Sequence, residues 1–306
     1  IIQRVIPHYR LAFFEELYQR FGTKVVAASN PPTGTYLNMI ETQNHCEWLT
    51  LLPFNFRSGS DGYSVGVPVM QILRQTGARR IVCEFGMRLS SSYSLPVLRR
   101  LGHLENLWFW SHGWNMDRGR VGWINALHQY ARIPSFAMAD GLLTYTKSGA
   151  DWLTKNLPRK PIHAIGNGLD LKHLRAVANR SNPKKQGTPA LLHVGRLTAD
   201  KRVDISINVL RQIQKQHPDA TLTIIGEGPA ESALRRQAGP GVQFLGACHD
   251  EADLAPYFLG ANALVIAGSA GLSVNHALAY GLPVVAFDRA LPRVRHHPEI
   301  DYVMHG

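Results

Sequence analysis

Apolar residues fall in short continuous runs separated by amphipathic stretches. In the first half, Lys24–Ala28, Arg80–Glu84, Asn106–Trp110 and Gly141–Tyr145 are runs of strand length, and Ile1–Ile6 reads as a further strand. Between them, Ala12–Phe21, Val67–Thr76 and Val121–Arg132 space their apolar residues as helices do. In the second half, Ala190–Val194, Thr221–Ile225, Val242–Leu245, Ala263–Ala267 and Pro283–Phe287 read as strands. They alternate with helical patterns at Arg202–His217, Ala230–Ala238, Asp253–Leu259 and Leu272–Tyr280. Strands that are apolar throughout, alternating with helices, predict parallel sheets covered on both faces. The polar break Asn179–Gly187, rich in turn formers, reads as a linker between the two series. The expected fold class is α/β, with two Rossmann-like doubly wound domains facing a cleft and ligands at the carboxyl ends of the strands.

Composition narrows the picture. The 306 residues are 45% hydrophobic and 18% charged, an ordinary globular balance. No apolar run is long enough to span a bilayer, and the N-terminus has no signal-peptide pattern. Cys46, Cys83 and Cys248 form no C-x-x-C and no disulfide framework, so a reducing cytoplasm is expected. The chain begins at Ile1 inside a strand pattern and ends at Gly306 without a closing element, so both ends read as clipped. Before residue 166 there are 18 Lys+Arg and 10 Asp+Glu, a net +8; the remainder has 15 and 12, a net +3. All six tryptophans also lie in the first half. That half therefore suits an anionic membrane face or a phosphorylated substrate, or is simply a solvated basic surface over core tryptophans. The basic residues are dispersed and no basic-aromatic module appears, so nucleic acid is not an expected partner.

Three segments carry candidate chemistry. The strand Leu191–Val194 runs into Gly195-Arg-Leu-Thr-Ala-Asp-Lys201, where Arg196 offers a planar fork and Lys201 a compact charge to a phosphate. The same residues also suit a solvated turn. Gly226-Glu-Gly-Pro229 ends a strand, but Glu231 stands where a dinucleotide fingerprint needs its third glycine. It reads as a tight turn near a nucleotide base or as a purely structural turn. Ala267-Gly-Ser-Ala-Gly-Leu-Ser273 is a small-residue loop opening a helix, with His276 near its start. The triplet Cys248-His-Asp250 reads as a turn and helix cap rather than a metal site.

In this order and spacing, the segments resemble the nucleotide-sugar-binding domain of the retaining family 4 (group 1) glycosyltransferases of GT-B fold, in a bacterial polysaccharide-building form. The resemblance covers residues 160–306 and rests on Asn167–Asp170, Gly195–Lys201, Gly226–Pro229, Gly268–Val285 and Pro298–Ile300. It implies an acceptor-binding domain over 1–168 and an incomplete donor-binding domain over 169–306. It also implies that Arg196 and Lys201 stabilise a leaving diphosphate, while Gly195, Gly226, Gly228, Gly271, Leu272, Ser273, His276 and Glu299 line the donor site. Two family glutamates fall here on Gly268 and His276, and His296-His297 stand where the family often has glycines.

In the first half, Pro7–Phe14 looks like the first loop and helix of such enzymes, which makes His8, Tyr9 and Arg10 candidate acceptor contacts. Trp110-Ser-His-Gly-Trp114 follows another strand, and its position implies a catalytic role for His112 beside the donor sugar.

The expected activity is transfer of a hexose-type sugar from a nucleoside diphosphate to a glycan or lipid-linked hydroxyl. The resemblance implies retention of configuration. With no Asp-x-Asp and no metal-ligand cluster in the sequence, no metal or other cofactor is expected. The expected location is cytoplasmic, peripheral on the inner membrane face. The alternatives are a non-catalytic nucleotide-sugar-binding partner subunit, motivated by Gly268, and a sugar-nucleotide epimerase of the same fold.

Overall fold

The computed structural model describes residues 1–31, 46–59, 62–113, 127, 130–184, 188–287 and 298–303. The chain divides into two compact units, Ile1–Asn167 and Gly168–Gly306.

In unit 1, α1 (Leu11–Phe21) is followed by β1 (Val25–Ala28), β2 (Leu49–Leu52) and the antiparallel pair β3 (Asn55–Gly59) and β4 (Gly62–Gly66). Then come α2 (Val69–Thr76), β5 (Arg80–Glu84), α3 (Ser91–Arg100), β6 (Asn106–Ser111), α4 (Ile133–Met138), β7 (Gly141–Thr144), α5 (Lys147–Asn156) and β8 (Ile162–Ala164). Strands β5-β6-β7-β8 pair in parallel, as do β1 and β2. The first residues join the two sets, since Ile2 bridges both Val26 and Cys83 in parallel. The expected strand over Ile1–Ile6 is therefore shorter than its apolar pattern. The Arg4 amide donates to the Glu84 side chain, and the chain turns into the 3-10 segment His8–Arg10.

Every residue of β1 is buried, as a strand covered on both faces requires. Leu95, Leu107, Phe109, Phe136, Leu142 and Leu153, each 0% exposed, fill the main core of this unit.

Unit 2 runs α6 (Leu171–Ala178), β9 (Ala190–Val194), a 3-10 turn Ala199–Lys201, α7 (Val203–Ile213), β10 (Thr221–Ile225), α8 (Glu231–Gln237) and β11 (Val242–Phe244). It continues with α9 (Glu251–Gly260), β12 (Ala263–Ile266), α10 (Ser273–Ala279), β13 (Val284–Ala286) and the 3-10 turn Pro298–Tyr302. Its five parallel strands are ordered β11-β10-β9-β12-β13. The chain leaves β9 toward one edge and later returns to the other side of β9 as β12. The order reverses there, which is where open α/β sheets bind ligands.

The expected strands and helices of this half are present with ends shifted by a few residues. The polar break is not a linker between the units, because Asn179–Lys184 lies within unit 2 and the Lys184 amide donates to Pro256 O at 2.8 Å. The expected helix Val121–Arg132 falls largely on residues outside the described set.

Leu192, 0% exposed on β9, packs against Leu254, Phe258 and Leu264. Leu192→Ala is expected to destabilise unit 2 by about 2–5 kcal/mol. A urea titration should show one unfolding transition moving to lower denaturant while that of unit 1 stays in place.

Candidate active site

The switch point of unit 2 is bounded by the loop after β9 and the loop after β12, and backbone contacts lock the two together. The Ser269 amide donates to Asp200 O at 2.9 Å, and Lys201 Nζ donates to Ser269 O at 2.7 Å. A Cβ on Gly268 would overlap the Asp200 carbonyl oxygen, so only glycine allows this approach. A Cβ on Gly271 would lie 3.6 Å from Lys201 Nζ, which places the ammonium beside that loop. Arg202, at φ 49°, turns the chain from the 3-10 segment into α7.

Lys201 is largely buried, and its ammonium holds its proton less firmly than usual. Burial is the largest cause and the Arg196 charge adds to it, while Asp200 and Glu299 oppose it. Arg196 is exposed and acts electrostatically on both Lys201 and Asp200. Glu299 is 5% exposed and reaches Lys201 by charge from the segment after β13. The structure thus gathers Arg196, Lys201, Gly271 and Glu299 at one switch point.

The Gly226–Pro229 turn has a clear structural function. A Cβ on Gly226 would overlap Gly195 O, and one on Gly228 would lie 2.5 Å from Leu197 O. The Leu197 amide donates to Glu227 O at 2.8 Å, and the Ala230 amide donates to Leu197 O at 2.9 Å. The two glycines let one loop lie flat on the other and so hold Gly195 and Arg196 in position.

Leu272 and Ser273 open α10, and His276 lies one turn on. His276 Nε2 donates to Glu251 Oε1 at 2.7 Å, and the ring stacks on Phe258 at 5.9 Å. Burial of Glu251 works to raise its pKa, but hydrogen bonds from His276 and Tyr280 outweigh it and leave the carboxyl below its usual range. His276 is therefore a clasp between α9 and α10. Asp250 caps α9 by accepting from the Ala252 amide at 2.7 Å, the cap role read from the sequence.

In unit 1, His112 is exposed on the loop after β6, with its ring 4.6 Å from that of Tyr145. A Cβ on Gly149 would lie 2.5 Å from His112 O, so the loop is seated on the first turn of α5. Tyr9 and Arg10 lie in the turn before α1. Trp114, His296 and His297 lie outside the described residues.

One polar residue was not singled out in the sequence. His193, inside the apolar strand β9, is 3% exposed and donates from Nδ1 to Val265 O at 3.3 Å. Its Nε2 is buried without a hydrogen-bond partner among the described residues. A Cβ on Gly195 would lie 4.0 Å from that nitrogen, so the imidazole underlies the start of the Arg196 loop. The signal was there to read: a histidine in an otherwise unbroken apolar run.

A family model described as glycosyl transferases group 1 matches residues 188–304, nearly the whole of this sheet and both cationic loops. Most of unit 2 is therefore similar to the group 1 glycosyltransferases. A GDP-mannose-dependent alpha-(1-6)-phosphatidylinositol dimannoside mannosyltransferase of Mycobacterium tuberculosis is 35% identical over 126 residues, which cover 39% of this chain and 33% of that protein. A glycogen synthase of the same species is 32% identical over 123 residues, 38% of this chain and 29% of the relative. The matched stretch thus spans about a third of the length of these curated relatives. Among solved structures, Anabaena Alr3699/HepE in complex with UDP superposes with a TM-score of 0.64 at 15% identity, over 99% of this chain and 82% of that one. Both units take part in that likeness, and the chain has the GT-B glycosyltransferase fold.

Burial keeps His193 of unit 2 neutral, with its pKa pushed down to about 4 from 6.5. Between these values the unfolded chain binds a proton that the folded chain refuses. Stability therefore falls as pH drops from 6.5 toward 4, by up to about 1.4 kcal/mol per pH unit. Urea titrations at several pH values should show that slope reduced in His193→Gln relative to the parent chain.

Proposed function

We propose that the chain transfers a hexose-type sugar from a nucleoside diphosphate to a hydroxyl of a glycan or lipid-linked acceptor, with retention of configuration and without a metal. The observation that carries this reading is the pair of cations, Arg196 and Lys201, held at the switch point by interlocked loops. The glycosyltransferase family and the UDP in the complex of a structural relative support it.

The hard step is departure of the nucleoside diphosphate, because negative charge grows on its β-phosphate. Lys201, already desolvated, and Arg196, with its planar fork, meet that charge without reorganising, and the loop Gly271–Ser273 passes beside it. Gly226 and Gly228 keep Gly195 and the Arg196 loop in place. Glu299 offsets the charge of Lys201 before the donor arrives. His112 is assigned to the sugar side, and the departing phosphate takes the acceptor proton.

A second reading, a nucleotide-sugar-binding subunit without turnover, is favoured by Gly268. The Asp200 carbonyl fills the place of its side chain, so position 268 offers the sugar no functional group.

The N-terminal half, at net +8, is assigned to the acceptor and to an anionic cytoplasmic membrane face. Tyr93, Val97 and Leu101 are exposed at helical spacing along and just beyond α3, with Arg100 beside them. No helix among the described residues is long and apolar enough to cross a membrane.

Incubation with a panel of nucleoside-diphosphate sugars is expected to show donor turnover. Lys201→Ala and Arg196→Ala should each lower turnover by about 10²–10³-fold with the fold intact. Near-parental rates in both variants would remove the assigned roles, and tight UDP binding without turnover would favour the second reading. In vesicle flotation, the chain should rise with phosphatidylglycerol vesicles at low salt and not with phosphatidylcholine alone; equal behaviour on both removes the membrane assignment.

A further inference from the structure

The carboxyl end of the unit 1 sheet holds a charged cluster that donor binding does not use. Three segments meet there around one guanidinium. Arg10 ends the 3-10 turn that follows the first extended segment, Trp110 lies near the end of β6, and Tyr145 follows β7. The Arg10 Cζ lies 5.0 Å from the Trp110 ring centroid, 5.1 Å from Tyr145 and 5.5 Å from Tyr9. A fourth segment contributes Asn167, beyond β8, whose Oδ1 accepts from Arg10 Nη2 at 3.3 Å. Tyr145 accepts a further hydrogen bond from the same side chain.

Among the described residues this charge is not balanced locally. Glu84 is the carboxylate that acts on Arg10, and it is already engaged elsewhere. Its Oε2 accepts from the Arg4 amide at 2.9 Å and its Oε1 from Arg4 Nη2 at 3.1 Å. Among the described residues two guanidiniums thus share one carboxylate, which leaves a surplus positive charge in a half-buried spot. Burial works against protonation of Arg10, but Tyr145, Tyr9 and Glu84 outweigh it and hold the guanidinium charged. Rings beside the cation fix its plane and shield it from water. Of its five N–H donors, Asn167 and Tyr145 take two, and the planar fork suits an oxyanion.

A purely structural clasp between the first loop and the end of β8 would explain Asn167. It leaves the surplus charge without a use, in a place where an unpaired charge is costly.

We infer that Arg10 recognises an anionic oxygen group, carboxylate or phosphate, on the acceptor, with Trp110 and Tyr145 as the walls that fix its fork. The inference rests on the reading that unit 1 receives the acceptor. It narrows the acceptor to an acidic saccharide or a sugar phosphate. The His112 ring lies 4.6 Å from that of Tyr145, so a ligand held by Arg10 is one ring away from His112.

The test uses the full chain labelled with ¹⁵N, with the Arg10 side-chain signal identified through Arg10→Lys. Glucuronate, glucose 1-phosphate and glucose are titrated in turn, and UDP separately. The Arg10 signal should move with one or both anionic sugars and not with glucose; which of the two moves it separates the carboxylate from the phosphate source. Arg10→Gln should weaken that binding by about 10- to 100-fold. Arg10→Lys, which keeps the charge and the fold but not the fork, should fall between the two. Both variants should bind UDP as the parent chain does. The inference is overturned if neutral and anionic sugars act alike, if neither anionic sugar moves the signal, or if both variants bind the anions like the parent chain. A chain that binds no UDP but shows the anion-dependent Arg10 shift keeps this site and loses the donor reading.

Discussion

The switch point of unit 2 depends on one contact: the Lys201 ammonium bound to the Ser269 carbonyl. It ties the loop after β9 to the loop after β12, and with the Ser269 amide on Asp200 it closes the switch point of the sheet. An ammonium bound this way loses few degrees of freedom when an anion arrives, because burial and a carbonyl have already oriented it. The glycines at 226, 228 and 268 serve that arrangement, since they let backbones approach where side chains would hold them apart. Arg196 stands on the turn they create and brings the second charge.

Much of unit 2 could be read in the sequence because its strands are short apolar runs and its loops carry small and cationic residues at recognisable spacing. Unit 1 was less legible for physical reasons. Helix α3 contains Ser91, Ser92, Ser94 and an internal Pro96, and it is held by Leu95 in the core rather than by its own propensity. The hairpin β3–β4 has its apolar residues, Phe56, Tyr63 and Val65, spread thinly among glycines and polar residues. Strand β8 lies at the sheet edge and is partly exposed, so its composition shows no buried run.

Within the site, the cations were legible because a glycine and two cations follow an apolar strand at a loop-helix junction, whereas the partners of those groups were not. Nothing in local spacing says that Glu251 bonds His276 across 25 residues, or that Arg10 lies among rings from β6 and the segment after β7. These contacts depend on how helices and strand ends come together in space. The sequence offered Gly226–Pro229 as a ligand turn or a structural one. The structure gives it a definite structural use, as the surface on which the Arg196 loop rests.

The closeness of Gly268 to the Asp200 carbonyl also limits what this protein can become. Position 268 and the 3-10 turn at 199–201 occupy one volume, so neither can vary alone. A lineage or a designer seeking an acidic side chain there would first have to lengthen or re-route the turn that carries Lys201, giving up its bond to the Ser269 carbonyl while doing so. The absence of a side chain at 268 is thus fixed by geometry, and a carboxylate at this switch point would have to come from another segment of the chain.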